Sequence, residues 1–470
     1  MKKKSAIIVL LCSLIFFISV AYAAEIILSK EVFFDNENTN LKATNVQDAL
    51  EELYNKAKSE KSCSANVAEP VLKEGLIPVK ISDNGTVTYA DTNKSWYDYC
   101  EKVWANAVIL NDGVSYNVGD TIKENDIQSY FVWIPKYKYK LWNVDTPVEN
   151  IHEIEIIFDT KDTTDISGVS CKTPMTSGSS GNCKNGEYMT HPAFISMGVN
   201  GFWVGKFETG YKGATSTTTA QVNSNDSSKV IIKPNVYSWR NMTIKNAFEA
   251  SYNYQRKTNS HMMKNTEWGA VAYLSHSKYG IGYEININNN SSFKTGYSSL
   301  PSTNQQTFPG TSGDGSNYND KYNTKIGFLA STTKNISGIY DMSGGTIEYM
   351  ASHMNNQLGS SGFTTSTIQE YDSKYFDVYS PSSTISSYQY RILGDATGEM
   401  GPFKHYLDGD NNSRWHNNWY GDASDFIATN NPWFNRGGHY NHGSFAGQFA
   451  FDWGTGGTSA AVGFRIVLSP

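Results

Sequence analysis

The C-terminal stretch from Pro432 to Leu468, PWFNRGGHYNHGSFAGQFAFDWGTGGTSAAVGFRIVL, constrains the fold most. It opens with an Arg-Gly-Gly turn at Arg436–Gly438. It continues through a Gly-rich segment dense in Asn, His, Trp and Phe, and closes on a Gly463-Phe464-Arg465 strand. Upstream lies Asn335–Tyr349, NISGIYDMSGGTIEY. There Gly338, Gly344 and Gly345 permit a tight turn with positive φ between Tyr340 and Glu348. Arg436 and Arg465 read as scaffold, because a guanidinium offers five donors in a fixed fork to backbone carbonyls.

Four further segments precede these in a fixed order. Phe131–Pro135 (FVWIP) reads as a strand inside the alternating, β-branched run Tyr130–Leu141. Gly201–Thr209 (GFWVGKFET) reads as a second strand. Asn235–Tyr254 reads as a helix with Trp239, Ala247, Phe248 and Tyr252 on one side. Lys264–Leu274 (KNTEWGAVAYL) reads as a helix capped by Thr266, with Glu267 in its first turn. Six motifs in this order resemble the formylglycine-generating-enzyme (sulfatase-modifying factor) domain, a large variant of the C-type lectin fold. The resemblance covers residues 128–470 and implies an α+β, C-type-lectin-like domain with long loops.

The resemblance also implies where chemistry would reside. The family enzyme binds copper through a cysteine pair downstream of Arg-Gly-Gly. Those positions are His442 and Gly447 here, and no cysteine follows Cys183. Copper(I) of that kind lacks its soft thiolate ligands, so no catalytic residue is assigned. Related iron enzymes carry their metal triad on a helical domain not visible here. Calcium is the one cofactor left open. Asp408–Asn412 begins like a calcium loop, but Ser413 and Trp419 replace its Gly and Glu. Glu348 of the hallmark turn is kept, while Gly345 stands where the family has asparagine.

The same segment is similar to the variable region of proteins diversified by retroelements, which use this fold. That likeness implies a non-catalytic ligand face made of Asn435, His439, Asn441, His442, Ser444, Phe445, Gln448, Asp452 and Trp453. Arg436, Gly437, Gly438, Ala446, Gly447, Phe449, Gly463, Phe464 and Arg465 would be scaffold. Arg414, Trp415, His416, Trp419 and Tyr420 would add to one rim. Short polar groups with large rings as anchors suit recognition. The ligand would be a protein or a glycan. Alternatives are a modifying enzyme with an altered metal site, and a structural pilus or virion component.

Composition agrees with a binding surface. The 470-residue chain has a formal net charge of −6, which gives no basic footprint for nucleic acid. Charged residues make up only 18% while aromatic residues reach 13%, so the surface is polar and rich in rings.

The start of the chain bears on compartment. Lys2–Lys4 followed by the apolar run Ala6–Ala23 reads as a secretory signal, with a cleavage site after Ala21-Tyr22-Ala23. An uncleaved anchor is the alternative, and only then would the chain meet a membrane. The expected location is secreted or on a bacterial cell surface. Four cysteines remain beyond the signal: Cys63, Cys100, Cys171 and Cys183. Cys171 and Cys183 flank a flexible loop that a disulfide would close, which leaves Cys63 with Cys100; four free thiols are the alternative.

Between signal and domain, residues 24–94 read as a helix plus connector and 95–127 as a β-rich lead-in. The helix is Thr44–Lys58, with Val46, Ala49, Leu50, Leu53, Tyr54 and Ala57 on one face and a Thr44/Gln47 capping box. A short strand is expected near Leu76–Thr88. Regions 286–325 and 354–385 read as long surface loops.

Overall fold

A computed structural model describes residues 45–50, 52, 67–144, 150–158, 183–299, 320–379, 392–400, 416–417 and 419–470. Two compact units separate at Ala65 and Asn66. In the first, Val46–Leu50 are helical. Asn45 provides the cap: its Oδ1 accepts the Asp48 N–H at 2.8 Å. Thr44, the start of the expected Thr44/Gln47 capping box, lies outside the described residues.

The second unit is mixed α+β, mostly sheet with few helices. In chain order the strands of its two large sheets begin with β1 (Ile77–Ile81), β2 (Val87–Tyr89), β3 (Asn106–Leu110), β4 (Thr121–Ile122) and β5 (Ile127–Pro135). Then come β6 (Gly201–Gly205), β7 (His261–Met262), β8 (Ile347–Met354), β9 (Asp377–Tyr379) and β10 (His416–Asn417). The last are β11 (Ala423–Ser424), β12 (Trp433–Gly437), β13 (Gly447–Gly454), β14 (Val462–Phe464) and β15 (Ile466–Leu468). An eight-stranded sheet has the order β7-β15-β6-β5-β3-β1-β2-β4. A seven-stranded sheet runs β9-β8-β12-β13-β11-β10, with β14 pairing parallel to β8.

Strands β1–β4 belong to the same sheet as β5, β6 and β15. Residue 128 is thus no boundary, and the connector and lead-in contribute half of one sheet. The Leu76–Thr88 strand is the hairpin β1–β2, with Val79 opposite Tyr89. The Tyr130–Leu141 run divides at Lys136. β5 stays in the large sheet, and Tyr137–Lys140 joins Ile156–Phe158 and Tyr188–Thr190 in a three-stranded sheet.

Helix α1 spans Pro192–Met197, α2 Ile244–Tyr254 and α3 Asn265–Ser275. The expected helix over Asn235–Tyr254 is shorter at its start. Thr243 caps it, accepting the Asn246 N–H, and Asn235 and Asn241 hold positive φ before it. Every residue of α3 is buried. Its cap is Lys264 rather than Thr266, and the Glu267 carboxylate accepts the Lys264 N–H at 2.9 Å. A β-carbon on Gly269 would stand 2.0 Å from the Gly394 carbonyl oxygen, so the helix passes this backbone only because residue 269 has no side chain.

Two expected loops are partly structured. Asn286, Asn288, Asn290 and Thr295 are buried, with Asn288 Nδ2 donating to Asp341 Oδ1 at 2.9 Å. In the second region Asp377–Tyr379 adds to β8 as a parallel edge strand. Neither region shows hydrophobic alternation, because polar partners elsewhere in the chain hold it.

Candidate ligand-binding face

Strands β12 and β13 pair antiparallel with Phe434 opposite Trp453, Asn435 opposite Asp452 and Arg436 opposite Phe451. Successive strand residues point to opposite faces. Asn435 and Asp452 therefore share one face, and Phe434, Arg436, Phe451 and Trp453 share the other. That second face is the packed one: Phe434 contacts the rings of Tyr379, Phe426 and Phe451. The expectation that Asp452 and Trp453 present together is corrected by this alternation.

At the β12–β13 pair lies a small depression lined by Ile347, Ala423, Asn435, Arg436, Gly438, His442, Ala450, Phe451 and Asp452. Small residues at 423, 438 and 450 create the depression. Asn435 is 5% exposed, and its Oδ1 has no hydrogen-bond partner among the described residues. Asp452 is half-buried and receives the Trp453 N–H on Oδ1 at 2.7 Å. Burial pushes its carboxyl up to about 6.

The turn from Gly438 to Ala446 is anchored by the Tyr440 N–H on the Gly345 carbonyl at 3.0 Å. It carries His439, Asn441, His442, Ser444 and Phe445. Asn441 is exposed, and the other four are half-buried. His439 bonds Asn441, and its ring lies 4.3 Å from Tyr440 and 5.3 Å from His442. Burial first, then the neighbouring His439, holds His442 down to about 4; burial also lowers His439.

Gln448 is 1% exposed, so it is not an open contact position. Its backbone carbonyl accepts the Trp268 indole N–H at 2.7 Å, which draws this end of β13 into the core. Trp419 is likewise no rim residue, because it is buried and stacks on Trp142 at 5.8 Å. Arg414 and Trp415 lie outside the described residues. Two residues packed beside the turn had no local signal. Phe293 sits at φ 54°, unusual for a bulky side chain, with the Arg240 guanidinium 3.8 Å over its ring and His439 and Tyr440 at its edge.

The scaffold arginines behave as expected. Arg436 donates to the carbonyls of Asp395 and Ala396, and Arg465 to those of Gly205 and Tyr340. Both oxygens of Glu348 accept from Arg465, at 3.0 and 2.5 Å. A β-carbon on Gly447 would lie 2.0 Å from Asp422 Oδ1. Among the described residues no group of three or more His, Cys, Asp or Glu is placed to hold a metal ion, and no helix is long and apolar enough to cross a membrane. Asp408–Asn412 and the signal segment lie outside the described residues. Cys100 and Cys183 are disulfide-bonded; Cys63 and Cys171 lie outside the described residues.

No family model and no curated protein matches the chain. One similar solved structure is that of the Major Tropism Determinant I1 variant. It is 11% identical over 87% of this chain and 97% of that chain, with a TM-score of 0.27. A score that low carries no argument about fold or function.

Proposed function

We propose an exported, non-catalytic ligand-binding protein, adhesin- or receptor-like, secreted or held at a bacterial cell surface. Its recognition surface is the C-terminal face of a C-type-lectin-like domain of the formylglycine-generating-enzyme type. One observation carries the reading: the cavity that brings Asn435, His442 and Asp452 together from two strands and the overlying turn. The buried Asn435 Oδ1, without a hydrogen-bond partner among the described residues, is an acceptor that a ligand donor would complete. The ordered motifs support the domain, and a Cys171–Cys183 disulfide is proposed with it.

The test is a surface partner isolated by pull-down, assayed against Asn441→Ala/Phe445→Ala and against Asp452→Asn. Weakened binding by folded variants supports the face. Full-affinity binding by all of them places the ligand elsewhere.

A further inference from the structure

Among the described residues two lysines are wholly closed off from solvent, Lys206 and Lys264. Lys206 meets carbonyl and amide oxygens. Lys264 also meets a carboxyl group. Its Nζ donates to Ser196 Oγ on α1 at 2.7 Å and to the Lys374 carbonyl at 2.9 Å, and Asp377 Oδ1 stands 4.0 Å away. Both side chains of this pair are buried. The other oxygen of Asp377, Oδ2, accepts the Thr266 N–H at 2.7 Å. That N–H is one of the free donors at the start of α3, where the helix dipole favours a negative oxygen. A further carboxyl group belongs to the same turn. Glu267 accepts the Lys264 N–H on Oε2 at 2.9 Å, and its Oε1 lies 2.8 Å from His261 Nε2.

Burial raises the Asp377 carboxyl; Lys264 opposes this and Glu267 adds to it. Burial acts against the Glu267 charge too, but His261 and then Lys264 outweigh it and hold that carboxyl below its ordinary value. A buried ion pair recovers little of the solvation that its charges lose. Condensing Lys264 with Asp377 to an amide removes both charges. The hydrogen bonds of the product are already in place. Oδ2 stays on the Thr266 N–H as the amide oxygen, and the remaining Nζ–H keeps the Lys374 carbonyl as acceptor. Oδ1, the oxygen on the lysine side, is the one that leaves.

We propose that Lys264 and Asp377 are a site of self-modification, joined by an isopeptide bond that staples β9 to the start of α3. The Lys264 ammonium gives up a proton to Glu267, and Nζ attacks Asp377 Cγ. The new C–N bond replaces the Cγ–Oδ1 bond, while the Thr266 N–H steadies the oxyanion on Oδ2. Oδ1 takes up both protons lost by nitrogen and departs as water, so no oxidant or cofactor enters. β9 stands at one end of the seven-stranded sheet, and the bond fixes this edge covalently. The staple is independent of the ligand face.

The experiment digests the full chain with trypsin and maps the peptides by mass spectrometry. One branched peptide joining the Lys264 and Asp377 segments, lighter than their sum by one water and uncut after Lys264, is the expected result. Separate peptides of full mass overturn the proposal and leave an ordinary ion pair. Lys264→Arg and Asp377→Ala should each restore separate peptides; a branched peptide that persists in either places the bond elsewhere and also overturns it. Glu267→Gln should slow the appearance of the bond after synthesis by about 100-fold or more. Joining at the parent's rate in that variant overturns the proton path. The peptide map of the parent chain decides the bond even if a variant fails to fold.

Discussion

Arg465 and Glu348 form a buried bidentate pair, Nε to Oε2 at 3.0 Å and Nη2 to Oε1 at 2.5 Å, that ties the closing strand to the turn at Gly344–Glu348. Both side chains are fully buried. Arg465→Ala would leave Glu348 as an unmatched buried charge, which costs about 3–5 kcal/mol. Chemical denaturation checks this. A double-mutant cycle with Glu348→Gln should recover part of the loss, and additive losses would show that the two groups do not interact.

Glu208 should make stability fall as pH rises. Burial, then Asp341 and Glu348 nearby, raises its carboxyl well above the ordinary value. The folded state therefore holds the proton where the unfolded chain releases it. Stability is full below about pH 4.3, the unfolded value, and is lost as pH climbs toward the folded value. Glu208→Gln keeps an acceptor for the Thr346 N–H, at 2.8 Å in the parent, and sets an amide NH2 where Glu208 Oε2 accepts from the Ser238 hydroxyl, which can turn to accept instead. Urea melts across this range should give a flatter profile for the variant, with equal or greater stability at neutral pH. A variant that keeps the parent's slope would locate the titrating group elsewhere.

Lys206 is buried, with no carboxylate partner among the described residues; its Nζ donates to Asn106 Oδ1, Ile336 O and Gly338 O at 2.9, 2.6 and 2.8 Å. Burial lowers its ammonium well below the usual lysine value. Lys206→Met removes the donor and strands these acceptors, at a cost of about 3 kcal/mol. Loss of under about 1 kcal/mol in a urea melt would mean that water replaces the ammonium.

Asn441→Ala and Gln448→Ala should separate. The first is exposed and should shift stability within about 0.5 kcal/mol. Gln448 is buried, and its truncation leaves a cavity, so a loss of about 1–3 kcal/mol is expected. Equal melting temperatures would contradict the burial.

Formylglycine-generating activity should be absent. The Asp422 carboxylate occupies the space that a side chain at 447 would need. Copper and a sulfatase-type cysteine peptide, incubated with the protein, should yield a peptide of unchanged mass. An aldehyde product would reverse this.

Local sequence determined the pieces with strong periodicity or obligatory chemistry. The alternation of Tyr130–Leu141, the helix ending at Tyr254, the all-buried Lys264–Leu274 segment and the glycine turn before Glu348 were readable because each depends on near neighbours. The structural role of Arg436 and Arg465 followed from guanidinium geometry alone. Tertiary structure decided the rest. Pairing of β1–β4 with β5 joins segments whose composition looks like a connector. The division of the C-terminal segment into an open and a packed face depends on register: Asn435 meets Asp452, which turns Trp453 away, and no spacing in the chain encodes that choice. Burial of Gln448 follows from Trp268, 180 residues earlier, donating to its carbonyl. The contact of Phe293 with Arg240 likewise requires two distant loops to meet. Cross-strand register and long-range contact set which polar groups face a cavity, and a one-dimensional pattern carries only the candidates.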